Sequence, residues 1–202
     1  MGDDLMYNPH CQEITDYAQE SPEHLFRVGL FVIATMNRHF EIVGRAVADY
    51  TEFGEQSTWF SKWQHRALAV WCHEAPRLHR RLGMWRETSV GFALMEVIQL
   101  PGVAITKGAF FLQLLGFPIG CLDRHNLRYA GLEENTFKKV PASVEGLTRK
   151  LHTYIGLCKE LGGSEVLWNQ WCNHLATTRP KSFASAEVVS ELHVRYIIDG
   201  GE

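Results

Sequence analysis

Residues 100–116 read Leu100-Pro101-Gly102-Val103-Ala104-Ile105-Thr106-Lys107-Gly108-Ala109-Phe110-Phe111-Leu112-Gln113-Leu114-Leu115-Gly116, and a few residues later comes Cys121-Leu122-Asp123-Arg124-His125-Asn126-Leu127-Arg128. A Pro-Gly turn opens an apolar helix, and a carboxylate follows one short connection later. Glycine allows the backbone to bend sharply and to be approached closely. The helix behind it offers unpaired N–H groups and a positive dipole end to an anion. Such a device holds phosphate without a basic side chain.

Outward from this stretch the chain reads as helix after helix. Val103 to Leu115 is strongly apolar, ends at Gly116 and cannot simply continue past Pro118. Upstream, Ser21-Pro22-Glu23 has the form of a helix start, with Leu25, Val28, Phe31 and Val32 following at helical spacing. A second helix is expected over Glu41 to Tyr50. A third is expected with Ser57 or Thr58 as cap and Trp59, Trp63, Ala67, Val70 and Trp71 on one face. Pro76 is expected to begin or break the next segment, and Thr88 to precede a helix through Ile98, with Phe92, Met95 and Val97 available for packing. Downstream, Ser143 caps a helix stopped by Gly162-Gly163, Ser164 starts another through His174, and Ser185 to Ile198 is the last. The sequence has no alternating strand pattern of useful length, no internal repeat and no low-complexity tract, so the expected class is all-α.

Composition sets modest bounds. With 202 residues, 46% hydrophobic and 11% aromatic, the chain can bury a sizeable core as one compact unit. A net charge of −3 gives no global basic signal for nucleic acid, so a DNA-binding reading has to rest on local arrangement. Lys62, Arg66, Arg77, Arg80, Arg81 and Arg86 against the single Glu74 make a local patch, which reads either as a solvated helix face or as a phosphate-facing surface. The five cysteines form no CxxC pair, which argues against a disulfide framework and a zinc ribbon. His65, His73 and His79 lack the spacing of a metal set, and no P-loop or dinucleotide fingerprint occurs. No metal and no tightly bound cofactor is expected. The start Met1-Gly2-Asp3-Asp4 is acidic with no long apolar run behind it, so neither a signal peptide nor a membrane span is expected, and the default compartment is a reducing cytoplasm.

The order of hairpin, small-residue helix and aspartate segment resembles the helix-hairpin-helix DNA glycosylase superfamily, closely over about thirty residues and loosely over the whole helical order. Leu100-Pro101-Gly102-Val103 matches the hairpin, Gly108 and Ala109 supply the small residues, and Leu122-Asp123-Arg124-His125 matches the aspartate segment. The resemblance implies two helical lobes around a cleft within a single unit, 1–202. Residues 25–115 would form the lobe that ends in the hairpin, and residues 1–24 would join 116–202 in the second. It implies DNA contacts at Leu100, Pro101, Gly102, Val103, Ala104 and Thr106, with Asp123 as the catalytic residue opposite the hairpin. An aspartate ahead of a helix is also an ordinary N-cap, and one carboxylate can serve both purposes.

Departures from the pattern narrow the reaction. Bifunctional members carry a lysine at the position of Thr106, whereas here Lys107 stands one step later, and one step turns a side chain by about 100°. Schiff-base β-lyase chemistry is therefore not expected. The iron–sulfur cysteine cluster of some members is also missing.

Within the superfamily, Lys107 to Phe110, Gln113 to Gly116 and Gly120 to Arg128 resemble a compact set of bacteriophage proteins associated with thymine hypermodification, the amino-acid:DNA transferases also called glutamyl or putrescinyl thymine pyrophosphorylases. That likeness implies an enzyme in the bacterial host cytoplasm that flips a pyrimidine out of DNA. It would replace the pyrophosphate of an activated 5-hydroxymethyluracil with an amine. The implied partners are DNA and a free amino acid or polyamine. Asp123 or His125 would take the amine's proton, and Lys107, Arg124 and His125 would supply donors to the leaving pyrophosphate. Gln113 reads either as a contact to a base edge or as a satisfied buried amide, His125 as a substrate contact or a structural hydrogen bond, and Asn126 as a substrate contact or a turn cap. Trp59, Trp63, Trp71, Trp168 and Trp171 are expected in the core. Two other readings stay open. One is a monofunctional glycosylase in which Asp123 stabilises an oxocarbenium-like sugar, and the other is a noncatalytic DNA-binding protein.

Overall fold

The computed structural model describes residues 9–200, so the acidic start lies outside the described residues. Every regular element among them is helical. In chain order the α-helices are α1 (Gln12–Glu20), α2 (Pro22–Ala34), α3 (Val43–Phe53), α4 (Lys62–Glu87), α5 (Val90–Val97), α6 (Ile105–Leu114), α7 (Arg124–Tyr129), α8 (Val144–Glu160), α9 (Gly163–Thr178) and α10 (Ala186–Ile198).

The central element is α2. Ser21 caps it by accepting from the His24 N–H, Pro22 occupies its first turn, and Leu25, Val28, Leu30, Phe31, Val32 and Ile33 are all buried. A helix apolar nearly all round has to be enclosed, and α1, α3, α4, α6 and α10 pack around this one. Each large aliphatic or aromatic side chain so buried contributes about 1.5–3 kcal/mol. Around α2 the buried apolar residues form one continuous cluster from Cys11 to Ile197.

Several boundaries differ from the expectations. The cap of α4 is Ser61, not Ser57 or Thr58, because Gln64 three residues on completes a reciprocal capping box with it. Pro76 lies inside α4 without ending it. The carbonyl that proline leaves unbonded belongs to exposed Cys72, on the face where water can satisfy it, while Trp71, Ala75, Leu78, Leu82 and Trp85 hold the opposite face in the core. Ser89, not Thr88, caps α5, α9 begins one residue before Ser164, and α1 had no sequence signal assigned to it. Trp71 and Trp168 are in the core as expected, and Trp59 and Trp171 pack partly buried against it. Trp63 is 51% exposed and Phe92 40% exposed, both contrary to expectation. Trp63 stands on the outer side of α4, with its ring against Gly102.

The hairpin forms as the sequence requires. The Val103 N–H donates to the Leu100 carbonyl at 3.2 Å, closing a turn with Pro101 second and Gly102 third at φ 84°, the type II pattern that calls for glycine. The Trp71 indole N–H donates to the Pro101 carbonyl at 3.3 Å and anchors the turn to α4. A Cβ on Gly108 would lie 2.9 Å from Leu94 Cδ1 and 3.0 Å from Ile98 Cγ2, so this small residue is what lets α5 and α6 close against each other across the turn.

Candidate functional site

Between α6 and α7 the chain runs as a strap with no regular structure, and its backbone groups are satisfied by side chains from three helices. The Tyr154 hydroxyl of α8 donates to the Gly120 carbonyl at 2.9 Å and accepts the Leu122 N–H at 2.8 Å. The Gln113 amide of α6 accepts the Cys121 N–H at 3.0 Å and donates to the Ser164 carbonyl at 2.8 Å. Asn126 of α7 donates to the Cys121 carbonyl at 2.7 Å, and Thr106 donates to the Leu122 carbonyl at 3.5 Å. Gly120 is packed so tightly that a Cβ there would lie 2.2 Å from Leu167 Cδ1 on α9. Buried backbone groups must be paired, and here the pairing fixes where the strap ends.

It ends at Asp123, the N-cap of α7. One carboxylate oxygen, Oδ1, accepts the N–H groups of His125 at 2.9 Å and Asn126 at 3.0 Å. The other oxygen accepts no hydrogen bond from the described residues. Asp123 lines a cavity of about 1230 Å³ that also takes in Ala104, Thr106 and Lys107 from the start of α6. The N-cap of α6 is Ala104, which has no side chain able to satisfy the helix's first N–H groups.

Lys107 reaches into this cavity. Its Nζ donates to Thr35 Oγ1 at 2.8 Å and stands 5.3 Å from the centroid of the Phe110 ring. Burial lowers the pKa of this amine, while the neighbouring Cys121 and Asp123 work against that lowering. Also lining the cavity, the His125 ring lies 3.9 Å from that of His174 and 5.4 Å from that of Trp171. Burial is also the main cause that lowers the His125 pKa. Asp123 opposes it, and His174 and Arg124 reinforce it. Two groups able to accept or pass a proton, Asp123 and His125, thus line the same cavity as the Lys107 amine.

The cavity lining is cationic on balance despite the chain's net negative charge: Arg38, Lys107, Arg124, Lys138 and Arg179 stand against Asp123 and Glu134. Arg179, just past the end of α9, bonds both Glu41 and His39 at 2.5 Å. The basic run on α4 does not line the cavity. Arg77 is paired with Glu74 and Arg81 with Glu96, whereas Lys62, Arg66 and Arg86 are exposed.

Of the expected site residues, Asp123, His125, Lys107, Arg124, Gln113, Asn126, Ala104 and Thr106 share this one cavity. Gln113 is present as a satisfied buried amide, and Asn126 has its amide bound to the strap. Leu100 and Val103 are buried at the base of the hairpin, and Pro101 and Gly102 are half-buried. The sequence reading missed Thr35, Arg38, Trp171, His174, Tyr154 and His193. For Trp171 and His174 a signal existed, since their three-residue spacing puts both on one face of α9. Tyr154 offered none, because its partners are more than thirty residues away. Among the described residues, no group of three or more His, Cys, Asp or Glu side chains is placed to hold a metal ion, and no helix is long and apolar enough to cross a membrane.

Comparison with protein-family models, curated proteins and solved structures returns no match for this chain.

Proposed function

We propose that the chain is a DNA base-modifying transferase of helix-hairpin-helix glycosylase-like architecture, acting on an activated 5-hydroxymethyluracil during phage DNA hypermodification in the bacterial host. The observation that carries this reading is the free oxygen of Asp123, held by the strap and α7 in the same cavity as the uncapped start of α6 and the desolvated amine of Lys107.

A cavity of about 1230 Å³ leaves room for a pyrimidine, a diphosphate and an amine donor to be held together. A base in a duplex is not accessible to a bulky amine, so extrusion precedes chemistry. The donor enters as an ammonium and gives a proton to Asp123 or His125. Its nitrogen lone pair then forms a bond to the methylene carbon on C5, and the bond from that carbon to the pyrophosphate oxygen breaks, its electron pair leaving with pyrophosphate. Lys107, Arg124 and the N–H groups at the start of α6 stabilise the departing anion.

Nucleoside mass analysis tests the reading. DNA containing thymine, 5-hydroxymethyluracil or its pyrophosphate is incubated with the protein, with and without amino acids or polyamines. An added amine mass on the retained base, appearing only with the pyrophosphorylated substrate, is the expected result. An abasic product would instead mean hydrolytic excision, and binding without base chemistry would mean a noncatalytic DNA-binding protein.

A further inference from the structure

His193 of α10 has no solvent-accessible surface, and its Nδ1 lies 2.8 Å from the Val189 carbonyl. A carbonyl only accepts, so Nδ1 carries the hydrogen and Nε2 of the neutral ring is left as an acceptor. That Nε2 is buried and has no hydrogen-bond partner among the described residues. Burial pushes the imidazole pKa down to about 4, so the lone pair is present at neutral pH. Leaving a buried acceptor unpaired is costly, and an apolar residue of similar shape would avoid that cost.

The surroundings suggest what pairs with it. His193 lines the cavity together with Phe40, Phe110 and Trp168. The Phe40 and Trp168 ring centroids each lie 4.5 Å from that of His193, and Phe110 is at 6.3 Å. Trp168 donates its own indole N–H to Ser190 Oγ, so its remaining contribution here is an apolar face. At this end of the cavity, then, aromatic rings pack directly on the imidazole and fix its plane, leaving Nε2 as one fixed acceptor suited to an N–H on the edge of a planar heterocycle. Phe40 sits on a short 3-10 segment, Phe40–Ile42, and not on a long helix; because His193 has no accessible surface, a ring reaches Nε2 only when a wall such as Phe40 swings aside.

We propose that His193 is a specificity residue whose Nε2 accepts the N3–H of an extruded uracil-type base. This deepens the transferase reading and rests on it for the source of the base. A cytosine-type ring presents a lone pair at N3 and is repelled, so the site selects a ring in the imide form.

Free nucleosides test this without DNA. 5-Hydroxymethyl-2′-deoxyuridine, its N3-methyl derivative and 5-hydroxymethyl-2′-deoxycytidine are titrated separately into protein carrying ¹⁵N-labelled histidine. The first should bind about tenfold or more tighter than the other two, and it alone should shift the His193 Nε2 resonance. His193→Phe should abolish the preference, and His193→Gln, which keeps an acceptor, should restore part of it. Equal affinities, an unmoved Nε2 resonance at saturation, absence of nucleoside binding, or a preference that survives in His193→Phe would each overturn the assignment. A parallel titration with duplex DNA separates the two readings. Nucleoside preference without duplex binding removes the DNA reading and keeps His193, whereas duplex binding with indifferent nucleosides removes His193 and keeps the DNA reading.

Discussion

The Tyr154 hydroxyl donates to the Gly120 carbonyl at 2.9 Å and accepts the Leu122 N–H, so one side chain of α8 grips both ends of the three residues that lead into Asp123. The carboxylate's position is therefore set by a helix that does not itself carry it.

Gly120→Ala should loosen that grip. Its Cβ would fall 2.2 Å from Leu167 Cδ1 and 2.9 Å from Leu167 Cβ, too close for a small rotamer adjustment to relieve. The expected cost is about 1–3 kcal/mol by urea unfolding, with part of it recovered when Leu167 is also shortened to Ala.

Lys107 should make stability depend on alkaline pH. Burial lowers its folded-state pKa below the usual 10.5, so the unfolded chain holds the proton more tightly, and stability rises as pH climbs towards that value. Lys107→Met should remove the rise. Unfolding free energies from neutral pH to pH 10.5, compared between the two proteins, check this.

His193 works in the acid range with the same sign. Its folded pKa of about 4 lies below the usual 6.5, so stability falls as pH drops from the upper value through the lower. The full penalty is about 3 kcal/mol. His193→Phe should flatten that part of the stability profile, and an unchanged profile would show that the ring is not buried as a neutral group.

Salt dependence should separate the cavity lining from the basic run on α4. Arg124 is exposed and lines the cavity, and Arg124→Ala should lower the slope of log affinity for duplex DNA against log salt by about 1. Arg77 is tied to Glu74 away from the cavity, and Arg77→Ala should leave the slope unchanged.

Local signals in the sequence were read correctly where the physics is local. Ser21 and Ser143 cap their helices as expected, the last helix starts within a residue of Ser185, and the Pro-Gly turn requires only four residues and a positive φ. The cap of α4 was misplaced because Ser57, Thr58 and Ser61 all look alike until Gln64 is seen to bond back. Pro76 misled because its cost depends on which face of the helix is wet. Thr35, Tyr154 and His193 remained invisible because their roles depend on groups brought together from distant parts of the chain. For Lys107, the resemblance put the amine at the Asp123 site, but its hydrogen bond to Thr35 joins residues 72 apart in sequence and left no local signal.

Asp123 carries two roles that a single substitution can separate. Asparagine caps a helix about as well as aspartate, whereas Ala at a cap costs about 0.5–2 kcal/mol. Asp123→Asn should therefore unfold close to the native protein, and Asp123→Ala should be less stable. The decisive quantity is the single-turnover rate of amine transfer to pyrophosphorylated 5-hydroxymethyluracil DNA by native protein and Asp123→Asn at matched stability. A loss of about 10²–10⁴-fold is predicted for removal of the proton acceptor, and an unchanged rate would contradict a chemical role for Asp123.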